Sequence, residues 1–161
     1  MKLSFRIIFK IFLILTILAG CVTTEEIIET DPKELLNQGN SLYEQGQYDQ
    51  AIVYYNKAIV YYNKALKINP RHRDSNMYRG LACMSRGLAY FEKAKWDKAI
   101  YDFTKAIEIL PVDWIGYAYG VRGIAYSETG QYKKACSDWK RACELGSCRN
   151  YNLAKRRGDC K

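Results

Sequence analysis

The single histidine of this 161-residue chain is the side chain best suited to proton transfer or metal binding. His72 lies in the basic run Arg71-His72-Arg73, directly after Pro70. Metal sites and acid–base pairs need a cysteine, carboxylate or second histidine at ligand spacing, and none stands beside His72. The sequence also shows no glycine-rich phosphate loop, paired zinc motif or nucleophile elbow. We therefore expect a surface histidine, and a protein that is not an enzyme and needs no metal or cofactor.

Residues 1–20 have the layout of a signal peptide. Lys2, Arg6 and Lys10 precede or flank a short apolar run, and the small residues Ala19 and Gly20 follow it; this order is typical of a secretory signal. A membrane-spanning helix needs about 20 apolar residues, and this run is shorter. The segment is therefore excluded from the predicted fold.

The end of this segment, Leu18-Ala19-Gly20-Cys21, resembles the lipobox of bacterial lipoproteins. In that family the signal is cut before the cysteine, whose thiol and new amino group carry fatty acyl chains. The resemblance implies lipidation at Cys21, with residues 21–30 as an acylated tether; an ordinary signal peptide is the alternative. It also implies a lipid-anchored protein of the cell envelope, in the outer membrane and facing the periplasm if the organism has two membranes.

The remaining cysteines could form disulfides, because such bonds persist outside the cytoplasm. Cys136 and Cys143 are seven residues apart on one predicted helix, about 10 Å along its axis, which is too far for a bridge. We expect both, like Cys83, to serve as small apolar residues of a packing face. Cys148 and Cys160 flank the last predicted helix, and a bridge between them is favoured over one between Cys143 and Cys148.

A pattern of small and aromatic residues recurs three times along the chain. Its best copy is Gly87, Tyr90, Trp96, Ala99, Phe103, Ala106 and Pro111. The same spacing gives Gly123, Tyr126, Tyr132, Ala135, Trp139, Ala142 and Ser147 in a later copy, and Gly39, Leu42, Tyr48, Ala51, Tyr55 and Ala58 in an earlier one. Steps of three and four residues place the alanine and aromatic positions on one helical face. Self-similarity of this kind indicates stacked helical units.

This pattern resembles the tetratricopeptide repeat, a helix-turn-helix unit of about 34 residues. The resemblance implies an all-α fold of three repeats at residues 31–70, 74–111 and 113–147, stacked as a short right-handed superhelix. Residues 148–161 would add a C-terminal capping helix and a tail.

The expected helix ends follow from local capping chemistry. Asp31 should cap the first helix, and Asp74 or Ser75 the third, because short polar side chains accept hydrogen bonds from first-turn amides. Gly146 should end the last repeat helix, and Ser147 should cap the short helix after it.

Two neighbouring helices are predicted to be longer than in the family's standard unit. VYYNKAI is followed directly by VYYNKAL within residues 53–66, and the run RGLA occurs twice, seven residues apart, within residues 79–89. Seven residues are nearly two turns, so each helix would lengthen by about 10 Å while its packing face shifts by only about 20°. We expect residues 49–68 and 75–91 to form a lengthened antiparallel pair; a bulged loop is the alternative.

A second stripe on the first helix of each repeat is predicted to line a partner groove. In the related repeats this offset from the packing face lines the concave surface, which would take an apolar helix or an extended peptide. The predicted groove residues are Leu36, Asn40, Tyr43, Leu81, Met84, Leu88, Phe91, Tyr117 and Ile124. The family's clamp for peptide carboxylates uses Lys, Arg and Asn, and of these only Asn40 is present. The alternative is that the stripe packs between neighbouring helices.

The formal net charge of +8 is unevenly distributed. Residues 22–52 are acidic and residues 131–161 are basic, so the far end would attract an acidic partner or an anionic surface unless it is only a solvated cap. Nucleic acid is not expected outside the cytoplasm. The sequence predicts a membrane-anchored adaptor or scaffold that binds an envelope protein or peptide. The alternative is a structural homo-oligomer assembled through the lengthened helix pair.

Overall fold

A computed structural model of the protein describes residues 31–160, in which the regular elements are α-helices and no strand occurs. The helices are α1 (Pro32–Glu44), α2 (Tyr48–Ile68), α3 (Arg73–Glu92), α4 (Trp96–Ile109), α5 (Val112–Glu128), α6 (Tyr132–Glu144) and α7 (Arg149–Arg157). Consecutive helices pack against each other, and α1 also contacts α3. The all-α prediction is confirmed. Residues 1–30, with the predicted signal, the tether and Cys21, lie outside the described residues.

Three helical hairpins, α1–α2, α3–α4 and α5–α6, build the fold, and close helix approach within each depends on a glycine. A Cβ added at Gly87 would lie 2.8 Å from the Phe103 ring, which is closer than real Cβ contacts allow. The same contact recurs in the pairs Gly39–Tyr55 and Gly123–Trp139. The repeat alanines are almost fully buried: Ala51, Ala58, Ala99, Ala106, Ala135 and Ala142. The small-residue pattern of the sequence is therefore the packing pattern of the hairpins.

Helices α2 and α3 form the lengthened pair, with 21 and 20 residues. Polar contacts join them at seven-residue steps, in the pairs Asp49–Lys93, Asn56–Arg86 and Asn63–Arg79. Residue numbers fall along α2 as they rise along α3, so the helices are antiparallel and stay in register through both heptads. Helix α2 continues without a break through Val60. The predicted pair is confirmed, and the bulged loop is excluded.

The duplicated heptads carry two buried polar atoms that lack hydrogen-bond partners within residues 31–160, Tyr62 Oη and Arg79 Nε. These residues are the copies of Tyr55 and Arg86. The Tyr55 hydroxyl donates a hydrogen bond of 2.9 Å to Asn40 Oδ1, whereas no equivalent partner faces Tyr62. The duplication thus repeated the residues without repeating the side chains that satisfy them.

Two helix starts test the capping predictions. Asp31 caps α1 as expected, since its carboxylate accepts a hydrogen bond of 2.9 Å from the Lys33 amide. The prediction for α3 is wrong: neither Asp74 nor Ser75 is the cap. His72 holds that position, and its Nδ1 accepts from the Ser75 amide at 3.2 Å. The exposed histidine therefore has a local structural role as the cap of α3.

The hairpin turns place one residue each in the left-handed backbone region. Gly46 (φ 74°) and Gly130 (φ 73°) hold this position in the first and third hairpins. The second hairpin has Ala94 there, with φ 51°. A Cβ disfavours this conformation, so Ala94 is a strained departure from the repeat pattern.

Candidate functional site

An apolar cleft of about 490 Å³ lies between α1, α3 and α5, the first helices of the three hairpins. It is lined by Leu36, Asn40, Leu81, Met84, Ser85, Leu110, Asp113, Trp114 and Tyr117. Five of these are among the residues predicted for the partner groove: Leu36, Asn40, Leu81, Met84 and Tyr117. The structure therefore brings side chains of all three repeats together on the predicted face.

The cleft has a buried floor and an exposed aromatic rim. Leu36 and Met84 belong to the hydrophobic core, with 6% and 8% of their surface exposed. Trp114 and Tyr117, at the start of α5, are 54% and 56% exposed. Large aromatic side chains that remain half in water next to an apolar cavity are typical of surfaces that gain contacts on binding.

The other four predicted groove residues lie elsewhere. The Tyr43 hydroxyl donates a hydrogen bond of 3.4 Å to Glu92. Leu88 and Phe91 are partly buried against the core of the second hairpin, as the packing alternative proposed. Ile124 is half-buried on α5 and does not line the cleft. The apolar stripe of each first helix is therefore divided between the cleft and the helix interfaces.

The electrostatic character of the cleft is mildly acidic. Its lining includes the exposed carboxylate of Asp113 and no lysine or arginine. Burial raises the pKa of Tyr117, and the nearby charge of Glu92 adds to this shift. Burial, with Glu92, raises the pKa of Tyr43 to about 12. Both phenols therefore stay neutral near pH 7, and the charge next to the cleft is negative.

Sequence reasoning missed four lining residues, three of which come from the ends of elements. Leu110 follows the last residue of α4, and Asp113 and Trp114 lie in the first turn of α5. Ser85 lies on α3 one residue beyond Met84. The repeat pattern describes helix interiors, so residues at the α4–α5 junction carried no signal except the exposed aromatic Trp114.

Two largely buried ion pairs lie within the second and third hairpins, where they join α3 to α4 and α5 to α6. Arg86 Nε and Nη2 donate to the Asp102 carboxylate at 2.8 and 2.6 Å. Arg122 binds Asp138 in the same way, at 2.8 Å for both bonds. Burial raises the pKa of the Asp102 carboxyl, and Arg86 opposes that shift. Each arginine stands before a repeat glycine and each aspartate before a repeat aromatic, a signal that could have predicted both pairs.

The cap is held by two disulfides that differ from the predicted one. Cys136 bonds to Cys160, and Cys143 bonds to Cys148. The predicted Cys148–Cys160 bridge is therefore wrong, and Cys136 and Cys143 are not free apolar residues. The chain turns at Gly158, which has a left-handed φ of 79°, and so brings the buried Cys160 back to α6.

The start of the capping helix is also corrected by one residue. Helix α7 has Cys148 and not Ser147 at its N-cap position. Gly146, with φ 94°, follows the end of α6 as expected. Cys83 is a buried free thiol on α3, in agreement with its predicted place on a packing face.

The described residues offer neither an evident metal centre nor a membrane span. No group of three His, Cys, Asp or Glu side chains between residues 31 and 160 could hold a metal ion. Across the same range, each helix is too short or too polar to cross a bilayer.

The stacked hairpins, with a cleft formed by their first helices, define a helical-repeat protein that presents a surface for another molecule. Two family profiles, both described as tetratricopeptide repeat, match residues 32–60 and 54–72. The chain is thus a tetratricopeptide-repeat protein, and its repeats form a protein–protein interaction domain of a family that is typically not enzymatic. A search of curated protein sequences finds no match.

Solved structures of the same fold come from plants, bacteria and other sources. The Arabidopsis OM64 TPR domain is 24% identical with a TM-score of 0.61, over 78% of this chain and 92% of that one. The first TPR of Spaghetti (RPAP3), bound to an HSP90 peptide, is 25% identical with a TM-score of 0.57, over 78% and 93%. MamA from Desulfovibrio magneticus RS-1 is 21% identical with a TM-score of 0.59, over 80% of this chain and 67% of that one.

Proposed function

We propose that the protein is a membrane-anchored adaptor that binds an apolar helix or extended segment of an envelope protein in the α1–α3–α5 cleft. The observation that carries this proposal is the cleft itself, about 490 Å³ in volume. Its apolar floor and its half-exposed Trp114 and Tyr117 give a partner large contact surfaces to cover. Burying apolar side chains there would stabilise a complex by roughly 25 cal/mol per Å² of apolar surface removed from water.

The charge at the cleft restricts the partner further. The first TPR of Spaghetti binds the HSP90 peptide SRMEEVD, which is acidic and ends in a carboxylate. The cleft of the present chain has Asp113 and no basic lining residue. An acidic peptide end would be repelled there, so the preferred segment is apolar with neutral or basic flanking residues.

Acylation of Cys21 would hold the domain at the membrane. The lipobox-like sequence before Cys21 supports this part of the proposal, together with the polar residues 22–30, which span at most about 30 Å. Several acyl chains give stable anchoring, because each buried methylene contributes about 0.8 kcal/mol. Substitution Cys21→Ser in cells should move the protein from the membrane fraction to the soluble fraction and abolish incorporation of labelled palmitate. Retention of both properties would rule out lipidation at this residue.

Site-specific photo-crosslinking in membranes tests the cleft directly. Benzoylphenylalanine at Tyr117 should capture a partner, because this side chain lies on the cleft rim. The matched control is Tyr132, which is 57% exposed on α6 and lies outside the cleft. Mass spectrometry would identify the captured protein. Equal capture from both positions, or none from Tyr117, would contradict binding in the cleft.

A structural homo-oligomer is the second candidate, and one surface favours it. Val53 and Val60 lie one heptad apart on α2 and are 50% and 52% exposed. Such a pair could seat against a second copy of the lengthened helix. Light scattering of the purified full chain in nonionic detergent distinguishes the two candidates. A dimer that dissociates on Val60→Lys would favour assembly, whereas a monomer would exclude it.

A further inference from the structure

A cavity of about 320 Å³ lies on the opposite side of α3 from the cleft, between α2 and α4. Its lining contains three cations, Arg79, Arg86 and Lys105, and one anion, Glu108. Apolar and neutral residues complete it: Ile59, Asn63, Cys83, Tyr101 and Ile109. Burial raises the pKa of the Cys83 thiol to about 11, so this thiol is neutral near pH 7 and adds no negative charge.

A comparison of Arg79 with Arg86 and Arg122 shows that this cavity lacks a carboxylate partner for its arginine. Arg86 and Arg122 each offer the edge formed by Nε and Nη2 to a buried aspartate. Arg79 is the heptad copy of Arg86, and its Nη1 donates to Asn63 at 3.2 Å as Arg86 Nη1 donates to Asn56. Its Nη2 bonds to neutral Asn76, and its shielded Nε has no acceptor within residues 31–160.

The position that a carboxylate partner of Arg79 would occupy lies on α4. A Cβ at Gly87 would meet Asp102 and Phe103, and a Cβ at Gly80, one heptad earlier, would meet Ile109 and Leu110. The seven-residue shift on α3 is therefore matched by a seven-residue shift on α4, and Ile109 stands where the partner of Arg79 would be. The duplication gave α3 a second arginine but placed an apolar residue opposite it.

The other charged groups of the cavity do not neutralise Arg79. Arg86 is paired with Asp102, and Lys105 donates a hydrogen bond of 2.8 Å to Glu108. The remaining positive charge is that of Arg79, whose guanidinium is partly shielded from water. A partly buried guanidinium edge without an acceptor gains strongly from a charged hydrogen-bond partner.

We propose that the cavity beside Arg79 is a carboxylate-binding site, which receives an aspartate or glutamate side chain of a partner protein. The apolar side chains of Ile59 and Ile109 line the same cavity and would contact a flanking apolar residue of that segment. This site is independent of the cleft, because it lies on the other side of α3 and requires a ligand of opposite charge. A partner could therefore contact both sides of the helix, or two partners could bind together.

The test follows the Nε–Hε resonances of the arginines by NMR, in the full chain held in nonionic detergent micelles. Isocaproate, a carboxylate with a branched apolar tail, should shift the Arg79 signal in the millimolar range. The signals of Arg86 and Arg122 should stay fixed, because aspartates already occupy their edges. Isocaproamide, which is uncharged and has the same shape, should leave all three signals unchanged.

Substitutions at Ile109 test directly whether Arg79 lacks a carboxylate partner. Ile109→Asp should supply the carboxylate from within the chain, shift the Arg79 signal without ligand and abolish the response to isocaproate. Ile109→Asn is the uncharged control and should keep the response. The Arg122 signal reports whether each variant is folded. An unshifted Arg79 signal with isocaproate, or equal shifts with the amide, would overturn the proposal.

Two further experiments distinguish a glutamate of a partner protein from a free carboxylate and from Glu108 of the chain itself. A blocked leucine–glutamate–leucine tripeptide should shift the Arg79 signal at lower concentration than isocaproate, whereas the glutamine version should have no effect. A response to isocaproate with none to the tripeptide would overturn the assignment to a protein partner. Glu108→Gln should leave the resting Arg79 signal in place; a shift would mean that Glu108 already serves as the partner and would refute the site.

Discussion

The duplicated tyrosines provide a matched pair of substitutions that tests how the lengthened helices are stabilised. Tyr62→Phe removes a buried hydroxyl that has no partner within residues 31–160. Tyr55→Phe removes a hydroxyl that donates to Asn40 at 2.9 Å. Both rings are buried, with 4% and 1% of their surface exposed, and both occupy the same position of successive heptads. The substitutions therefore differ mainly in whether a hydrogen bond is lost.

The two substitutions are expected to change the free energy of unfolding in opposite directions. A buried polar group without a partner costs about 1–3 kcal/mol, so Tyr62→Phe should stabilise the fold by about 1 kcal/mol. Loss of a satisfied hydrogen bond costs about 1 kcal/mol, so Tyr55→Phe should destabilise it by that amount. The stacking of ring 62 on Tyr78, with centroids 5.9 Å apart, should survive the first substitution.

Urea unfolding of the oxidised full chain in nonionic detergent, followed by far-UV circular dichroism, measures the difference. The midpoint should rise for Tyr62→Phe and fall for Tyr55→Phe, while the slope with denaturant stays constant. If Tyr62→Phe were as destabilising as Tyr55→Phe, the hydroxyl of Tyr62 would have a partner. Such a result would refute an unsatisfied hydroxyl at Tyr62.

The same tyrosine predicts a loss of stability at alkaline pH. Burial raises the pKa of Tyr62 to about 12, above the value near 10 of an exposed tyrosine. The unfolded chain therefore releases this proton at lower pH than the folded chain. Ionisation of Tyr62 leaves the free energy of unfolding unchanged below about pH 10 and lowers it as pH rises towards 12. Tyr62→Phe should reduce the fall in urea midpoint across this window. An unchanged fall would mean that Tyr62 ionises equally in both states.

Three further predictions concern the helix pair, a hairpin turn and the cap. Deletion of residues 60–66 alone should destabilise the domain, because α3 would keep a heptad with no partner. Joint deletion of residues 60–66 and 80–86 should lower the urea midpoint less. Equal losses of urea midpoint in the two variants would contradict paired lengthening. Ala94→Gly should stabilise the fold by about 1 kcal/mol, since the left-handed φ of 51° disfavours a Cβ, and the reciprocal Gly46→Ala should cost a similar amount in the same assay. Cys160→Ser should destabilise the cap by about 3 kcal/mol, as expected for loss of a disulfide between residues 24 apart in sequence. Protease should then cleave the tail faster than in the parent protein, and an unchanged cleavage rate would contradict this.

The fold could be predicted from the sequence because each hairpin repeats one packing rule. Gly87 must accept the ring of Phe103, and alanines must lie where helices approach, so the residue types themselves encode the contacts. The lengthened pair could be predicted for the same reason. A heptad inserted in one helix alone would leave apolar residues such as Tyr62 without a neighbour. Because α3 is lengthened to match, Tyr78 lies against the Tyr62 ring.

The disulfides and the α3 cap could not be derived in this way, because they depend on the path of irregular segments. The distance between Cys136 and Cys143 correctly excluded a bridge between them. It gave no information on Cys160, which reaches α6 only because the chain reverses at Gly158. The ring nitrogen of His72 likewise reaches a helix amide through the geometry of the preceding turn, which no spacing rule describes.

The two proposed binding surfaces share one origin, the duplicated heptad of α3. Leu81 packs against the core and also lines the cleft, whereas Leu88, its copy seven residues later, packs against the core and does not line the cleft. Arg79 lines the opposite cavity without a carboxylate, whereas Arg86 is paired. The joint deletion of residues 60–66 and 80–86 would leave one leucine and one arginine in the standard repeat environment. It should therefore preserve a folded domain and abolish both crosslinking at Tyr117 and the response to isocaproate. A variant that kept either activity would show that the corresponding surface does not depend on the inserted heptad.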